Sequence, residues 1–216
     1  MCLLSRQGRF FDVEVLLNPV LSRCAGAGTG RVRSMSDPLR TAHTFELDPA
    51  TLGEIHALLD DAFDGAFSEE DWDHGLGGVH VLVRDGAGSL VAHGCVIQRR
   101  VLHKGRSYRV GYVESVGVRA DRRRDGLGGR VMEVLERVID RAYEVGALSA
   151  SDDGAPLYVA RDWQLWRGGI EALSPDGVVR LPQQEQDSTY LRPVPGRELP
   201  SADSPLIFDW RDGDVL

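Results

Sequence analysis

Apolar and polar positions change rhythm along this chain, and each rhythm predicts an element. Val79–Arg84, Leu90–Leu102 and Tyr108–Val118 alternate in runs rich in β-branched residues, the period of buried or half-buried strands. Asp85-Gly86-Ala87-Gly88 and His103-Lys104-Gly105 separate these runs and predict turns, so the three strands form an antiparallel meander. The period then lengthens: Leu127, Val131, Val134, Leu135, Val138, Ile139 and Ala142 predict a long amphipathic helix. An earlier helix starts at Asp48-Pro49 and continues through Leu52, Ile55, Leu58, Leu59 and Phe63, after an extended run at Thr41–Leu47. Ser68–Asp71 has capping-box spacing, with Asp in place of Glu or Gln, and predicts a short helix. Further on, the pattern predicts a strand at Ala147–Ala150, a helix around Pro156–Arg161, and strands near Gln164–Arg167 and Ser188–Leu191. Strands, a helix, a parallel-type return and another helix make an α/β fold with a mixed sheet.

Residues 1–38 break this order. Their apolar patches, Leu3-Leu4, Phe10-Phe11 and Val15-Leu16-Leu17, are interrupted by Arg6, Arg9 and Asn18-Pro19, which excludes a continuous signal-peptide core. Met35 could open the native product, so residues 1–38 are expected to be an extension that is disordered or absent from it, and residues 39–216 a single domain. No internal repeat or low-complexity tract is visible.

Composition narrows the class. The 216 residues are 42% hydrophobic and 27% charged, ordinary for a globular protein, and no apolar run reaches the roughly 18 residues of a membrane-spanning helix. Cys2, Cys24 and Cys95 have no paired or metal-ligand spacing, which points to a reduced cytoplasmic protein without a metal. His80 and His93 lie on strands and read as structural. The net charge of −8 argues against nucleic-acid binding. Its distribution is uneven: Asp60, Asp61, Asp64, Glu69, Glu70, Asp71 and Asp73 form an acidic stretch, joined late in the chain by Asp209, Asp212 and Asp214. Arg99, Arg100, Lys104, Arg106 and Arg109 form a basic one, expected near the candidate anion site described next. The acidic stretch is either a solvated face or an attractor for a polycation.

Between the third strand and the long helix stands Arg123-Arg124-Asp125-Gly126-Leu127-Gly128. Such a turn aims unpaired backbone N–H groups and a helix N-terminus at one place, and glycines let an oxygen approach the main chain, as a pyrophosphate requires. The R-x-x-G-x-G spacing resembles the acetyl-CoA signature of the GNAT acetyltransferases. Other segments resemble one branch, the actinobacterial aminoglycoside 2'-N-acetyltransferases: Asp71-Trp72-Asp73-His74, Val96-Ile97-Gln98-Arg99-Arg100, Gly111-Tyr112-Val113-Glu114, Gly146-Ala147-Leu148-Ser149 and Asp209-Trp210-Arg211-Asp212-Gly213-Asp214.

The resemblance implies the GNAT fold, with a central sheet splayed at an acetyl-CoA site, and a cytoplasmic homodimer that acts on an aminoglycoside. It implies that the main chain of Val116, Gly117 and Val118 holds the pantetheine arm, and that Arg123, Arg124, Asp125, Gly126, Leu127 and Gly128 hold the pyrophosphate. Glu114 matches the family base and Tyr158 the family acid. Strand alternation puts Glu114 on one face with Val116 and Val118, within reach of the acetyl end. Asp71, Glu114, Ser115, Ser149, Glu185, Asp214 and the carboxylate of Leu216 match substrate contacts.

Alternatives stay open at this stage. Glu114 could be a salt-bridged structural residue, Tyr158 a core residue, and Trp72 and Trp210 either sugar contacts or packing. Ala66 stands where the family has Asp, Leu216 where several members have Trp, and Asp162 where the family has Gly. These departures predict altered drug preference with acetyl-CoA binding intact. The acceptor could instead be another cationic amine, such as a cell-wall amino sugar, or the chain a binding module without turnover. No suitable cysteine is expected near the site motifs, so direct transfer in a ternary complex without an acyl-enzyme is expected.

Overall fold

A computed structural model describes residues 37–216, so all but the last two residues of the expected extension lie outside the described residues. In chain order the elements are β1 (Leu39–His43), α1 (Pro49–Ala62), α2 (Glu69–Gly75), β2 (Val79–Arg84), β3 (Leu90–His103), β4 (Arg106–Val118), α3 (Leu127–Ala142) and β5 (Val145–Ser149). Then come α4 (Ala155–Val159), β6 (Gln164–Leu165), β7 (Ile170–Ser174), β8 (Gly177–Arg180), α5 (Gln183–Ser188), β9 (Thr189–Pro193) and β10 (Leu206–Asp209).

The long strand β3 organises the sheet. Its one edge pairs antiparallel with β4 along nearly its whole length. The other edge is shared: β2 takes it up to Val96, and β10 takes Val101 and Leu102. The strand order is β6-β9-β5-β4-β3-β10-β7-β8, with β1 and β2 branching from the first half of β3. β4 and β5 run parallel, as do β7 and β10, so the sheet is mixed.

Local chemistry sets the helices. The Asp48 carboxylate accepts from the Thr51 amide at 2.8 Å, and Pro49 at the first helical position has no N–H to leave unpaired. At α2 the Ser68–Asp71 box closes in both directions, with bonds of 3.0 and 3.1 Å. The apolar stripe of α3 buries Val131, Met132, Leu135 and Ile139 against Val81, Val83, Val96 and Val113 on one sheet face. Gly94 permits that approach, because a Cβ there would lie 2.7 Å from Val131. α1 covers part of the opposite face, with Ile55, Leu58 and Leu59 against Leu82 and Leu90. A third cluster, including Val101, Val110, Tyr112, Ile170 and Phe208, fills the far half of that face.

Two expectations are corrected. Thr41–Leu47 is not one extended run: β1 ends at His43, where the side chains of His43 and Glu46 cap a turn of 3₁₀ helix over Thr44–Glu46. The basic stretch does not lie beside the Arg123–Gly128 turn. Lys104 and Arg106 sit at the β3–β4 turn, paired with Asp203 and Glu144. That end of β4 is about 40 Å from Val118, at roughly 3.3 Å per residue. Arg99 is no surface charge at all, being only 2% exposed.

Arg99 instead ties the 209–216 segment to the sheet. Its Nε donates to Asp209 Oδ1 at 2.9 Å, Nη2 to the Asp209 carbonyl at 2.6 Å and Nη1 to the Val215 carbonyl at 2.5 Å. The guanidinium also stacks 5.0 and 5.1 Å from the Tyr112 and Phe208 ring centres. Charge-assisted bonds of this kind contribute about 1.5–3 kcal/mol each, and their loss leaves buried carbonyls unpaired. Arg99→Met is expected to lower unfolding free energy by about 2–4 kcal/mol in a denaturant titration. Hydrogen exchange in that variant should accelerate first over residues 209–216.

Candidate active site

The site begins where two strands part. β4 and β5 pair only over Val110–Tyr112 and Val145–Ala147, so among the described residues that edge of β4 has no ladder partner beyond Tyr112. A cleft of about 400 Å³ opens there, with Val113, Glu114, Ser115 and Val116 on one wall and Ser149, Ala150 and Ser151 on another. Asp71 from α2, Tyr158 from α4, and Phe63, Ala66, Phe67 and Leu216 complete it.

A β-bulge shapes the β4 wall. His93 pairs with Gly117 and Cys95 with Glu114, so Gly94 faces two residues, Ser115 and Val116. Ser115 absorbs the extra residue at φ 54°, a left-handed conformation costly for a side chain with Cβ. The bulge corrects the alternation argument. Val113, Val116 and Val118 pack with the α3 cluster, whereas Glu114 turns to the face of Tyr112 and Arg211. One inserted residue exchanges the faces.

A directed chain of buried histidines fixes the bulge. The Ser115 carbonyl can only accept, so His93 Nδ1 donates to it at 3.0 Å and His93 Nε2 must accept. His80 Nδ1 therefore donates to His93 Nε2 at 3.0 Å, and the Thr44 hydroxyl donates to His80 Nε2 at 2.8 Å. Burial holds both rings neutral, pushing His80 down to about 4 and His93 down to about 3.

Glu114 is the titratable centre of the cleft. Burial raises its pKa, and the contact with Arg211 opposes the rise. Among the described residues its carboxylate bonds only the Arg211 guanidinium, through Oε1. Cys95 lies opposite in register, and its Sγ–H donates to the Glu114 carbonyl at 3.6 Å. It is fully buried, and burial pushes its thiol well above the usual range, so it is no nucleophile.

Tyr158 is 8% exposed, and burial followed by the nearby Glu114 charge pushes its hydroxyl up to about 12. It is thus protonated at neutral pH. α4 is held by Glu136 of α3, which accepts two bonds from Arg161 at 2.6 and 2.8 Å and one from Trp163 Nε1 at 2.9 Å. Trp163 meets the Tyr158 ring edge-on at 6.3 Å. Asp162 tolerates the position of a family glycine at φ 65°.

The Arg123–Gly128 turn lies beyond the cleft, after Val118. Gly126 sits at φ 78° as the N-cap of α3 and gives no side-chain cap, so the first amides of this 16-residue helix have none from it. Its missing Cβ would meet nothing within 4 Å. The side chains differ from expectation. Arg122 pairs with Asp37 at 2.7 Å and Asp125 at 2.9 Å, and Arg123 donates to the carbonyls of Val118 and Ala62. Arg124 is exposed at φ 68°.

The remaining expected residues divide. Asp71 reaches the cleft while its Oδ2 caps Ser68, and Ser149 bonds Ser188 Oγ at 2.6 Å. Gly117 packs toward Leu59 of α1, off the cleft wall. Asp214 is exposed and outside the lining, with its carbonyl turned to Arg211. Glu185 falls on α5, but its side chain lies outside the described residues. Trp72 packs against His56 at 5.2 Å, and Trp210 is exposed. Arg211 was not singled out as a site residue; its one sequence signal is its place inside Asp209–Asp214. Among the described residues no group of three or more His, Cys, Asp or Glu could hold a metal.

This fold and cleft define an acetyltransferase class. The model of the acetyltransferase (GNAT) domain matches residues 46–166, more than half the chain, and the chain belongs to the GNAT acetyltransferases, a family that uses acetyl-CoA. It is similar to the aminoglycoside 2'-N-acetyltransferase of Mycolicibacterium fortuitum, 42% identical over 179 residues that cover 82% of this chain and 90% of that one. Among solved structures it resembles the GNAT family N-acetyltransferase YhbS of Escherichia coli in complex with CoA, at TM-score 0.58 and 12% identity over 85% of this chain and 94% of that one. A GNAT family acetyltransferase of Brucella melitensis in complex with acetyl-CoA matches at TM-score 0.51 and 14% identity, over 78% of this chain and 95% of that one. These two likenesses concern the fold alone.

The histidine pair makes stability depend on pH. Unfolded histidines take protons near about pH 6.5, whereas the folded rings resist until about 4 and about 3. The unfolded state therefore binds more protons in that window, and stability falls as pH drops through it. Urea midpoints measured from about pH 7 to about pH 4 should decline, and the His80→Gln/His93→Gln double variant should show a shallower decline.

Proposed function

We propose that this chain is an acetyl-CoA-dependent aminoglycoside 2'-N-acetyltransferase that confers drug resistance by direct transfer in a ternary complex. The observation that carries the reading is the convergence of Asp71, Glu114, Ser115, Ser149 and Tyr158 on one cleft at the parting of β4 and β5. The relative from Mycolicibacterium fortuitum, similar over most of both chains, supplies the acceptor class.

In this reading acetyl-CoA is a substrate. Main-chain groups of Val116–Val118 hold its pantetheine arm along the unpaired edge of β4. The Arg123–Gly128 turn holds its pyrophosphate, chiefly through backbone amides and the α3 N-terminus, since Arg122 and Arg123 are already partnered within the fold. Asp71 is a counter-charge for a drug ammonium. Ala66, between Phe63 and Phe67, gives an apolar patch where the family has an acid, which alters drug ranking.

The chemistry needs a neutral amine, so Glu114 takes one ammonium proton, directly or through water. The freed lone pair attacks the thioester carbonyl. As the tetrahedral adduct collapses the C–S bond breaks, and Tyr158 gives its proton to the departing thiolate. The extra proton left on the acylated nitrogen passes to the Tyr158 phenolate, directly or through water, restoring the hydroxyl. The Glu114 pKa, raised by burial, strengthens it as a base. Products are the 2'-N-acetyl drug and coenzyme A. The homodimer rests on family resemblance alone; sedimentation at a single chain's mass would reject it.

Thiol release with tobramycin, which has a 2'-amine, tests the acceptor against a drug bearing a 2'-hydroxyl. Turnover of the first alone is expected; equal acetylation of both would refute 2'-amino specificity, and tight binding without turnover would favour a sequestering module. Glu114→Gln should reduce kcat at neutral pH by about a hundredfold or more with acetyl-CoA affinity little changed. Normal turnover would remove Glu114 as the base. Gly126→Asp should raise the KM for acetyl-CoA by about tenfold, since it sets a carboxylate and a strained Cβ against the pyrophosphate.

A further inference from the structure

We propose that Arg211 is a positioning residue that holds Glu114 ionised in the cleft and fixes which of its oxygens faces the acceptor. This rests on the reading of Glu114 as the base. The side chains of Glu114 and Arg211 are only 14% and 13% exposed, so the pair is largely shielded from water. A carboxylate this buried without a cation favours its protonated form, and a protonated Glu114 cannot take the ammonium proton.

Arg211 is held for the task. Its Nε donates to the Asp214 carbonyl at 3.2 Å, and its guanidinium lies 5.4 Å from the Tyr112 ring centre. The surrounding segment is pinned by Arg99 and by His74, whose Nε2 bonds the Asp212 carbonyl at 2.7 Å. Arg211 engages Oε1, and among the described residues nothing else bonds the carboxylate, which leaves Oε2 for the acceptor. The other titratable groups facing Glu114 are Arg99 and Cys95 from β3, His74 from α2 and Tyr158 from α4. Arg99 is committed to the 209–216 segment, and neither Cys95 nor Tyr158 supplies a positive charge. His74 Nε2 is engaged by the Asp212 carbonyl, and its influence on Glu114 ranks below that of Arg211 and Arg99. Arg211 is therefore the dominant local cation.

The decisive test reads ionisation directly and does not depend on turnover. Glutamate side chains of the whole protein are labelled with carboxyl ¹³C, and Glu114 is assigned by the signal missing from Glu114→Gln. In Arg211→Met its titration should move upward by about one pH unit or more, while Arg211→Lys should restore most of the difference. Arg211→Gln serves if the Met variant does not fold. An unchanged Glu114 titration in the uncharged variant overturns the proposal.

Kinetics separate this inference from the reading beneath it. The acid limb of kcat/KM for tobramycin should shift by the same amount, giving about tenfold lower activity per unit below it and convergence at high pH. The KM for acetyl-CoA should stay within about twofold. An acid limb unmoved in Arg211→Met, when Glu114→Gln has lost it, also overturns the Arg211 proposal. If Glu114→Gln keeps the wild-type acid limb, the base assignment fails instead, and the carboxyl titration still decides the role of Arg211.

Discussion

The buried guanidinium of Arg99 is the constraint on which the working end of this molecule depends. A full charge at 2% exposure is costly to desolvate, and the fold offsets the cost by surrounding it with acceptors and ring faces. Those acceptors come from Asp209 and Val215, some 110 residues further along the chain. Satisfying Arg99 therefore folds the 209–216 segment back onto β3 and β4. That placement brings Arg211 against Glu114 and Leu216 into the cleft wall.

A second constraint works at shorter range. The bulge at Ser115 interrupts the longest strand pair in the sheet and holds a left-handed serine, which the local backbone alone would resist. The Thr44–His80–His93–Ser115 chain supplies a directed set of bonds that makes this geometry the satisfied one. It leaves no buried imidazole unpaired along that line. The reward is a strand that presents Glu114 to one face and Val116 to the other within three residues, beside an unpaired edge. The mixed character of the cleft, with apolar Val113 and Val116 near charged Glu114 and Asp71, follows from that switch.

Much of the architecture was legible because its signals are local. The 3.6-residue stripe of α3, the Asp48-Pro49 start, the Ser68–Asp71 box and the alternating meander each depend on neighbours in sequence, and each appears in the structure. Of the late strands, β6 and β9 were legible, whereas β7, β8 and β10 did not announce themselves. β8 and β10 have four residues each, too few for a period to stand out, and β10 is a strand only because β3 and β7 flank it. The basic stretch misled for a related reason. Charge counted along a sequence says nothing of which end of a strand it occupies, nor that Arg99 is inside.

The sequence by itself carried the glycine turn before α3 and, through its resemblance to the GNAT acetyltransferases, pointed to Glu114 and Tyr158, because the motifs that carry such a resemblance are spelled by adjacent positions. The tertiary structure decided what those groups face. Alternation placed Glu114 with Val116 and Val118, and one bulged residue reversed it. Reading along the chain did not single out Arg211 as the partner of Glu114, since the contact joins residues 97 positions apart. It exists because Arg99 needed carbonyls, a requirement that only a closed, water-free interior imposes.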